Sequence, residues 1–407
     1  MMMIATGNAS AQTSETVSIN PAYTNQTFYS LQNGTISSVD NTNWDLGFQV
    51  SGWQAAIIIN SKNNVHLYNA QKNIGEWSSM VAGDTTGVLI AANELFNQDT
   101  TLFNGAFNVT NNLADPFDLG WGLYDFVTHA VTGDSIYFLK LANGDVKKIK
   151  IEQLANATFD FRYANVDGSN EQFRQFVKAN YAGKNFGYYS VQNDLFIDRE
   201  PLKNTFDLIF SQYLSVNPIV YKVTGVLSND SVQAVKAYPV DVTSATDAGL
   251  VYSYFSNVLG YDWKAYDFGT NQWTIADSTV YFVIDKNNTK WKIVFTGFSG
   301  SSLGEFYFDK TPLGPTGINE TGNSVEQLGM YPNPAENIFN LIVDSKNKEL
   351  AQLQVVDVNG KIVLQYKQQL QVGLNKITVD VNTIAAGIYF AKVQTNNGVV
   401  SLKFVKN

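Results

Sequence analysis

Short runs in which apolar and polar residues alternate recur along most of the 407-residue chain. Trp44, Leu46 and Phe48 alternate with Asp45 and Gly47, the period of a strand with one buried face. Residues 136–141, the turn dipeptide Asn143-Gly144 and residues 146–151 read as a β-hairpin; residues 281–284, Asn287-Asn288 and 290–295 read as another. The helical signal is slight. Phe173, Phe176 and Val177, spaced i, i+3, i+4, predict at best a short amphipathic helix over 171–179. From residue 329 onward, six or seven short strands with turns such as Asn359-Gly360 predict a compact Ig-like β-sandwich. The fold class expected is all-β.

Many of these runs occur twice. Phe28-Tyr-Ser-Leu-Gln-Asn33 recurs as Tyr188-Tyr-Ser-Val-Gln-Asn193, and Asn43-Trp-Asp-Leu-Gly-Phe48 as Thr205-Phe-Asp-Leu-Ile-Phe210. Tyr124-Asp-Phe-Val-Thr-His129 matches Tyr266-Asp-Phe-Gly-Thr-Asn271, Asp134-Ser-Ile-Tyr-Phe138 matches Asp277-Ser-Thr-Val-Tyr-Phe282, and Phe159-Asp-Phe161 matches Phe306-Tyr-Phe308. The order is kept, while the offset drops from 162 residues at Trp44/Phe206 to 142 at Tyr124/Tyr266, so one copy carries about 20 extra residues in its middle. The expected organisation is a signal-peptide remnant at 1–11, a module at 18–170, a second copy at 184–312, a linker at 313–328 and a terminal domain at 329–407. The linker assignment rests on its Gly, Pro, Thr and Asn content.

Composition narrows the function. Aromatic residues reach 13%, which suits packed strands. A net charge of −9 with no basic face argues against nucleic acid. The absence of cysteine excludes disulfides, thiolate metal sites and cysteine nucleophiles. Ala9-Ser10-Ala11 has the small-x-small form of a signal-peptidase site, with Gln12 as the mature start. No apolar run approaches the length of a membrane-spanning helix.

Two resemblances follow. The segments "FYSLQNG", "NWDLGF", "YDFVTH", "DSIYFLKLANGDVKKIKI" and "FDFRY" resemble the HmuY-type haem-binding family of Bacteroidetes, taken as two tandem copies over residues 20–312. That resemblance implies all-β surface proteins, the best known of which hold haem between paired axial ligands. The segments "YPNPAENIFNLIV", "VVDVNGKIV", "GLNKITVDVNTIAAGIYFAKV" and "SLKFVKN" resemble the type A C-terminal sorting domain of the type IX secretion system. This second resemblance implies export, engagement of the secretion machinery through 329–407, and a cell-surface or extracellular destination.

Candidate chemistry is sparse. With only His66 and His129, no H-E-x-x-H spacing, no phosphate loop and no G-x-S-x-G elbow, no enzyme is expected. His66 and His129 are the candidate axial ligands of a haem, with Met80 a substitute thioether. Against this, alternation alone explains His66 as a solvent-facing strand residue. His129 is replaced by Asn271 in the other copy, so it serves equally well as a turn residue. An alternative is a glycan-binding platform built on Trp53, Trp77 or Trp121, the last freed by flanking glycines. A third is an adhesin or structural protein that keeps the fold without a haem site.

Overall fold

The computed structural model describes residues 11–52, 54–115, 117–216, 219–315, 325–357, 361–395 and 398–407. The signal-peptide reading at 1–11 lies outside them except for Ala11, and so does Trp53. The chain forms two compact units, the larger within residues 1–317 and the smaller dominated by 318–407. Among the described residues the secondary structure is β-strand with short 3-10 turns, and every strand pair is antiparallel, as expected for an all-β protein.

The larger unit is built from two similar halves, each a pair of sheets. In half I, strands Thr13–Ser18, Glu305–Pro315, Thr289–Phe298, Val280–Ile284 and Gln233–Ala237 form one sheet. Strands Tyr221–Ser228, Leu208–Ser215, Asn25–Ser30 and Gly34–Asp40 form the other. In half II, one sheet runs Gln172–Val177, Thr158–Asn165, Val146–Ala155, Ser135–Lys140, His66–Asn73 and Glu94–Leu95. Its companion is Leu195–Ile197, Phe186–Ser190, Leu46–Gln49 and Ile57–Ile59.

Strand pairing crosses the boundary between the two sequence copies. The opening segment of each copy (about 13–40 and 172–197) completes the half formed by the rest of the other copy. Tyr29 faces Leu208 across the ladder, and Tyr189 faces Leu46. Likewise, Thr13–Ser18 pairs with Glu305–Pro315, and Gln172–Val177 with Thr158–Asn165. The short helix expected over 171–179 is therefore a strand followed by a single 3-10 turn at Lys178–Tyr181. Tertiary pairing overrides the weak i, i+3 signal, because Phe176 must face a core lined by Phe48, Phe159 and Tyr181.

Each exchange is fixed by a buried aspartate. The Asp45 backbone N–H donates to the Tyr189 carbonyl at 3.0 Å, and that of Asp207 donates to the Tyr29 carbonyl at 2.8 Å. The carboxylate of Asp45 accepts from the Ser190 hydroxyl and the Gln192 N–H, both at 3.0 Å. Asp207 accepts from the Leu31 N–H at 2.7 Å. Asn60 and Asn229 repeat this reciprocity. Asn60 donates from Nδ2 to the Asn41 and Trp44 carbonyls, and Asn229 to those of Lys203 and Phe206.

The cores are aromatic. In half I, Trp263 stacks on Phe295 at 3.9 Å beside Phe210, Phe306 and Phe308. In half II, Phe48 sits among Phe159, Phe161 and Phe176, with Trp121 against Phe159. Trp121 and Trp263 precede matching hairpins, Gly122–Asp125 with Ala130–Gly133 and Lys264–Asp267 with Gln272–Ile275.

The smaller unit is a sandwich of two sheets. One holds Val325–Tyr331, Ile338–Ser345 and Gly373–Asp380; the other holds Ile362–Leu370, Glu349–Asp357, Gly387–Thr395 and Gly398–Lys406. Phe339, Leu341, Leu353, Val355, Val393 and Phe404 fill the space between them. The segment expected as linker, 313–328, is strand at its described ends, 313–315 and 325–328; residues 316–324 lie outside the described residues.

Candidate functional site

The two histidines are not brought together. His66 opens the strand His66–Asn73, opposite Lys140, and its Nδ1 bonds the Glu94 carboxylate. His129 closes the turn before Ala130–Gly133 with φ at 56°, and its Nδ1 meets the Tyr124 hydroxyl at 2.8 Å. Both positions can be read against strand Val146–Ala155. His66 is level with Val146 through Lys140, whereas Val131 already pairs with Leu154. Eight residue steps of strand separate the two levels, about 26 Å at ~3.3 Å per residue. Metal–nitrogen bonds are about 2 Å, so no single iron reaches both rings. The residues present do not fit a haem held between these two rings, because their strands place them at different levels of one sheet.

The other candidates have also been absorbed by packing. Met80 is buried with Tyr68 and Trp77. Trp77 is buried beneath Lys148 and Lys150, and its indole N–H bonds Glu171 at 2.6 Å. Trp121 is fully buried and donates to the Ala55 carbonyl at 3.0 Å. Its flanking glycines serve backbone approach, not ring exposure. A Cβ on Gly122 would lie 2.4 Å from the Thr132 carbonyl oxygen. Among the described residues no group of three or more His, Asp or Glu is placed to hold a metal ion.

A cleft of about 880 Å³, solvent at its mouth included, lies where the two halves meet. Half I supplies Phe28 and Ile209 from adjacent strands, with Ser211 and Tyr213 further along; half II supplies Trp44, Ile58, Phe186 and Tyr188. The loop Asn97–Leu102 closes one side and comes from the additional residues of the first copy. Ser256 of the second copy ties that loop down, donating from its hydroxyl to the Asp99 carbonyl at 2.8 Å. Trp44 and Tyr188 meet edge to face at 4.9 Å.

Against the rings lie two buried charged side chains, Arg199 and Glu200, each hydrogen-bonded to neutral groups. The Arg199 guanidinium lies over Tyr188 and Trp44, at 4.9 and 5.6 Å from the ring centres. It donates to the Gln26 side chain at 2.6 Å and to the Asp40 carbonyl at 3.0 Å. Glu200 accepts from the Asn185 N–H and the Tyr188 hydroxyl, both at 2.8 Å, and burial pushes its carboxyl up to about 7.

Four polar atoms of the cleft residues are buried with no hydrogen-bond partner: Asp99 Oδ1, Asn185 Oδ1, Ser61 Oγ and the Tyr213 hydroxyl. Buried polar atoms are nearly always satisfied, so a cluster of four marks a place where something else supplies the bonds. None of these residues was picked out in the sequence. The insertion that carries Asn97 to Leu102 points to Asp99 alone among them.

The comparisons with known proteins speak to the smaller unit. Residues 329–407 match the secretion system C-terminal sorting domain family. That segment is a type IX secretion sorting domain. The protein is accordingly exported by type IX secretion, to the cell surface or the extracellular space, and the domain is its point of contact with the secretion machinery. No curated protein matches the chain. Among solved structures, the dimeric latent PorU of Porphyromonas gingivalis aligns at 10% identity with a TM-score of 0.18. The alignment spans 68% of this chain and 26% of that one, a likeness too slight to carry a structural argument. Among the described residues no helix is long and apolar enough to cross a membrane.

Proposed function

We propose that this exported protein works by binding, without catalysis, and that the cleft between its two halves takes a neutral, hydroxyl-rich ligand of the sugar class. The observation that carries the reading is the pairing of aromatic walls with the unpartnered Asp99, Asn185, Ser61 and Tyr213 atoms. Hydroxyl groups both donate and accept, so one polyol satisfies carboxylate, amide and phenol together. Sugar C–H faces pack on rings such as Trp44 and Phe186. An ionic ligand fits less well: Glu200 is already engaged with Tyr188 and Asn185, and Arg199, of which Nε alone lacks a partner, is held by Gln26 and Asp40 and does not line the cleft.

The test is calorimetric titration of the whole protein with maltose, cellobiose, mannobiose and chitobiose, with tryptophan emission followed in parallel. One of them is expected to bind saturably and to lose affinity at least tenfold in Tyr213→Phe and Asp99→Asn. Binding that is indifferent to both substitutions, or no binding by any of the four, would count against the cleft.

A further inference from the structure

At one position where the two halves differ in charge, the difference leaves a carboxylate without a cation. The hairpin turns at 141–145 and 285–289 superpose in their bonding. Leu141 and Asp285 donate from N–H to the carbonyls of Asp145 and Thr289, and Gly144 and Asn288 donate back to Leu141 and Asp285. The register makes Lys286 the counterpart of Ala142. In half I, the Lys286 ammonium reaches Asp207 Oδ1 at 3.0 Å, over a carboxylate that is 1% exposed. In half II, the equivalent Asp45 is just as deeply buried, at 3%. Its bonds are to the Ser190 hydroxyl and backbone N–H groups, and no cationic side chain pairs with it among the described residues.

The space left by the missing lysine is not filled. Asp45 faces a pocket of about 610 Å³, solvent at its mouth included. Asn43, Asn63, Asn143, Gln192 and Asn193 line it with Ala142. Burial without a counter-charge raises the Asp45 carboxyl above the usual carboxylate range. The protein thus contains the same socket twice, once plugged by its own lysine and once open, with amide oxygens around the opening as further acceptors for N–H donors.

We propose that the pocket beside Asp45 binds a primary alkylammonium group, docked on the carboxylate as Lys286 is docked on Asp207. The chemistry is shared by free amines and by lysine side chains of a peptide, and the probes separate the two.

The whole protein is titrated calorimetrically with n-butylammonium chloride and, separately, with the tripeptide Gly-Lys-Gly. One equivalent of butylammonium is expected to bind. Tripeptide binding as well identifies lysyl side chains as acceptable occupants, and butylammonium binding alone identifies free amines. Ala142→Lys, an exposed turn position, should supply the plug internally and abolish the binding. Asp45→Asn should weaken it at least tenfold. Lys286→Ala should open the second socket and raise the stoichiometry to two. The proposal is overturned if neither probe binds, if binding survives in Ala142→Lys, or if calcium chloride binds at Asp45 while the amines do not.

Discussion

Half I and half II are two versions of one architecture, and the places where they diverge separate what the fold requires from what it tolerates. Asp45 and Asp207, and Asn60 and Asn229, hold equivalent positions with equivalent backbone bonds, and Trp121 and Trp263 are buried at equivalent positions before matching hairpins. These are the residues that seat each exchanged segment and anchor each hairpin. Elsewhere the halves part. Half I has Lys286 where half II has Ala142, and Lys264 where half II has Gly122. Lys264 is buried among Trp263, Trp273 and Phe298, donating to the Thr224 and Tyr261 carbonyls. At these two positions half I has built in a cation and half II has not, although half II buries a lysine elsewhere, Lys148, against Trp77.

The largest expected effect is at the charged clamp. Asp207→Ala leaves Lys286 and the Leu31 N–H unpaired and should cost about 3–5 kcal/mol in urea denaturation. Asp45→Ala abandons no cation and should cost about 1–3 kcal/mol. Equal losses would erase the distinction between the sockets.

Lys264 gives a second asymmetry. Burial lowers its ammonium to about 7. Folding therefore releases a proton between about pH 7 and the unfolded value, near 10.4. Stability rises with pH across that window and is flat below it. Lys264→Met should abolish the slope and add about 3–5 kcal/mol at pH 7, by the conversion of ~1.4 kcal/mol per pKa unit.

Glu200 behaves in the opposite sense. Its carboxyl is raised by burial to about 7, so folding takes up a proton above the unfolded value, near 4.3, and stability falls as pH climbs from there through 7. Glu200→Gln should flatten that fall and gain about 3 kcal/mol at pH 8, with little change at pH 4. Melting temperatures measured across pH 4–10 for both variants would show the two slopes separately.

Two smaller effects probe equivalence. Asn60→Ala and Asn229→Ala should each cost about 1–3 kcal/mol, matched to one another, since each strips two buried carbonyls of a donor. His129→Asn should change stability by no more than about 0.5 kcal/mol. Both His129 and Asn271 hold a left-handed turn, with φ at 56° and 54°, and asparagine is well suited to it.

Much of this architecture was legible in the residues. Alternation located the hairpins at 136–151 and 281–295, and the repeated "FYSLQN"/"YYSVQN" and "NWDLGF"/"TFDLIF" segments disclosed the duplication. Partner choice was not legible. Tyr29 and Tyr189 present the same strand pattern, so nothing local decides which one Leu46 will face; that is settled by reciprocal long-range bonds from Asp45 and Asp207. The site was less legible still. Arg199-Glu200 reads as an ordinary surface dipeptide until the exchange buries it, and the flanking glycines of Trp121 suggest exposure where they in fact permit close backbone packing. The cleft belongs to neither copy alone, and no motif within one copy could announce it.

The exchange of opening segments is the claim on which the clamp, the cleft and both sockets depend. The chain has no cysteine, so paired cysteines can report strand neighbours directly. The decisive measurement is disulfide trapping in two variants of the whole protein, Leu46→Cys with Tyr189→Cys and Leu46→Cys with Tyr29→Cys, read by non-reducing mass spectrometry. The exchanged fold predicts an intramolecular disulfide in the first pair and free thiols in the second. A disulfide in the second pair and none in the first would show that each copy folds upon itself, and would contradict the account.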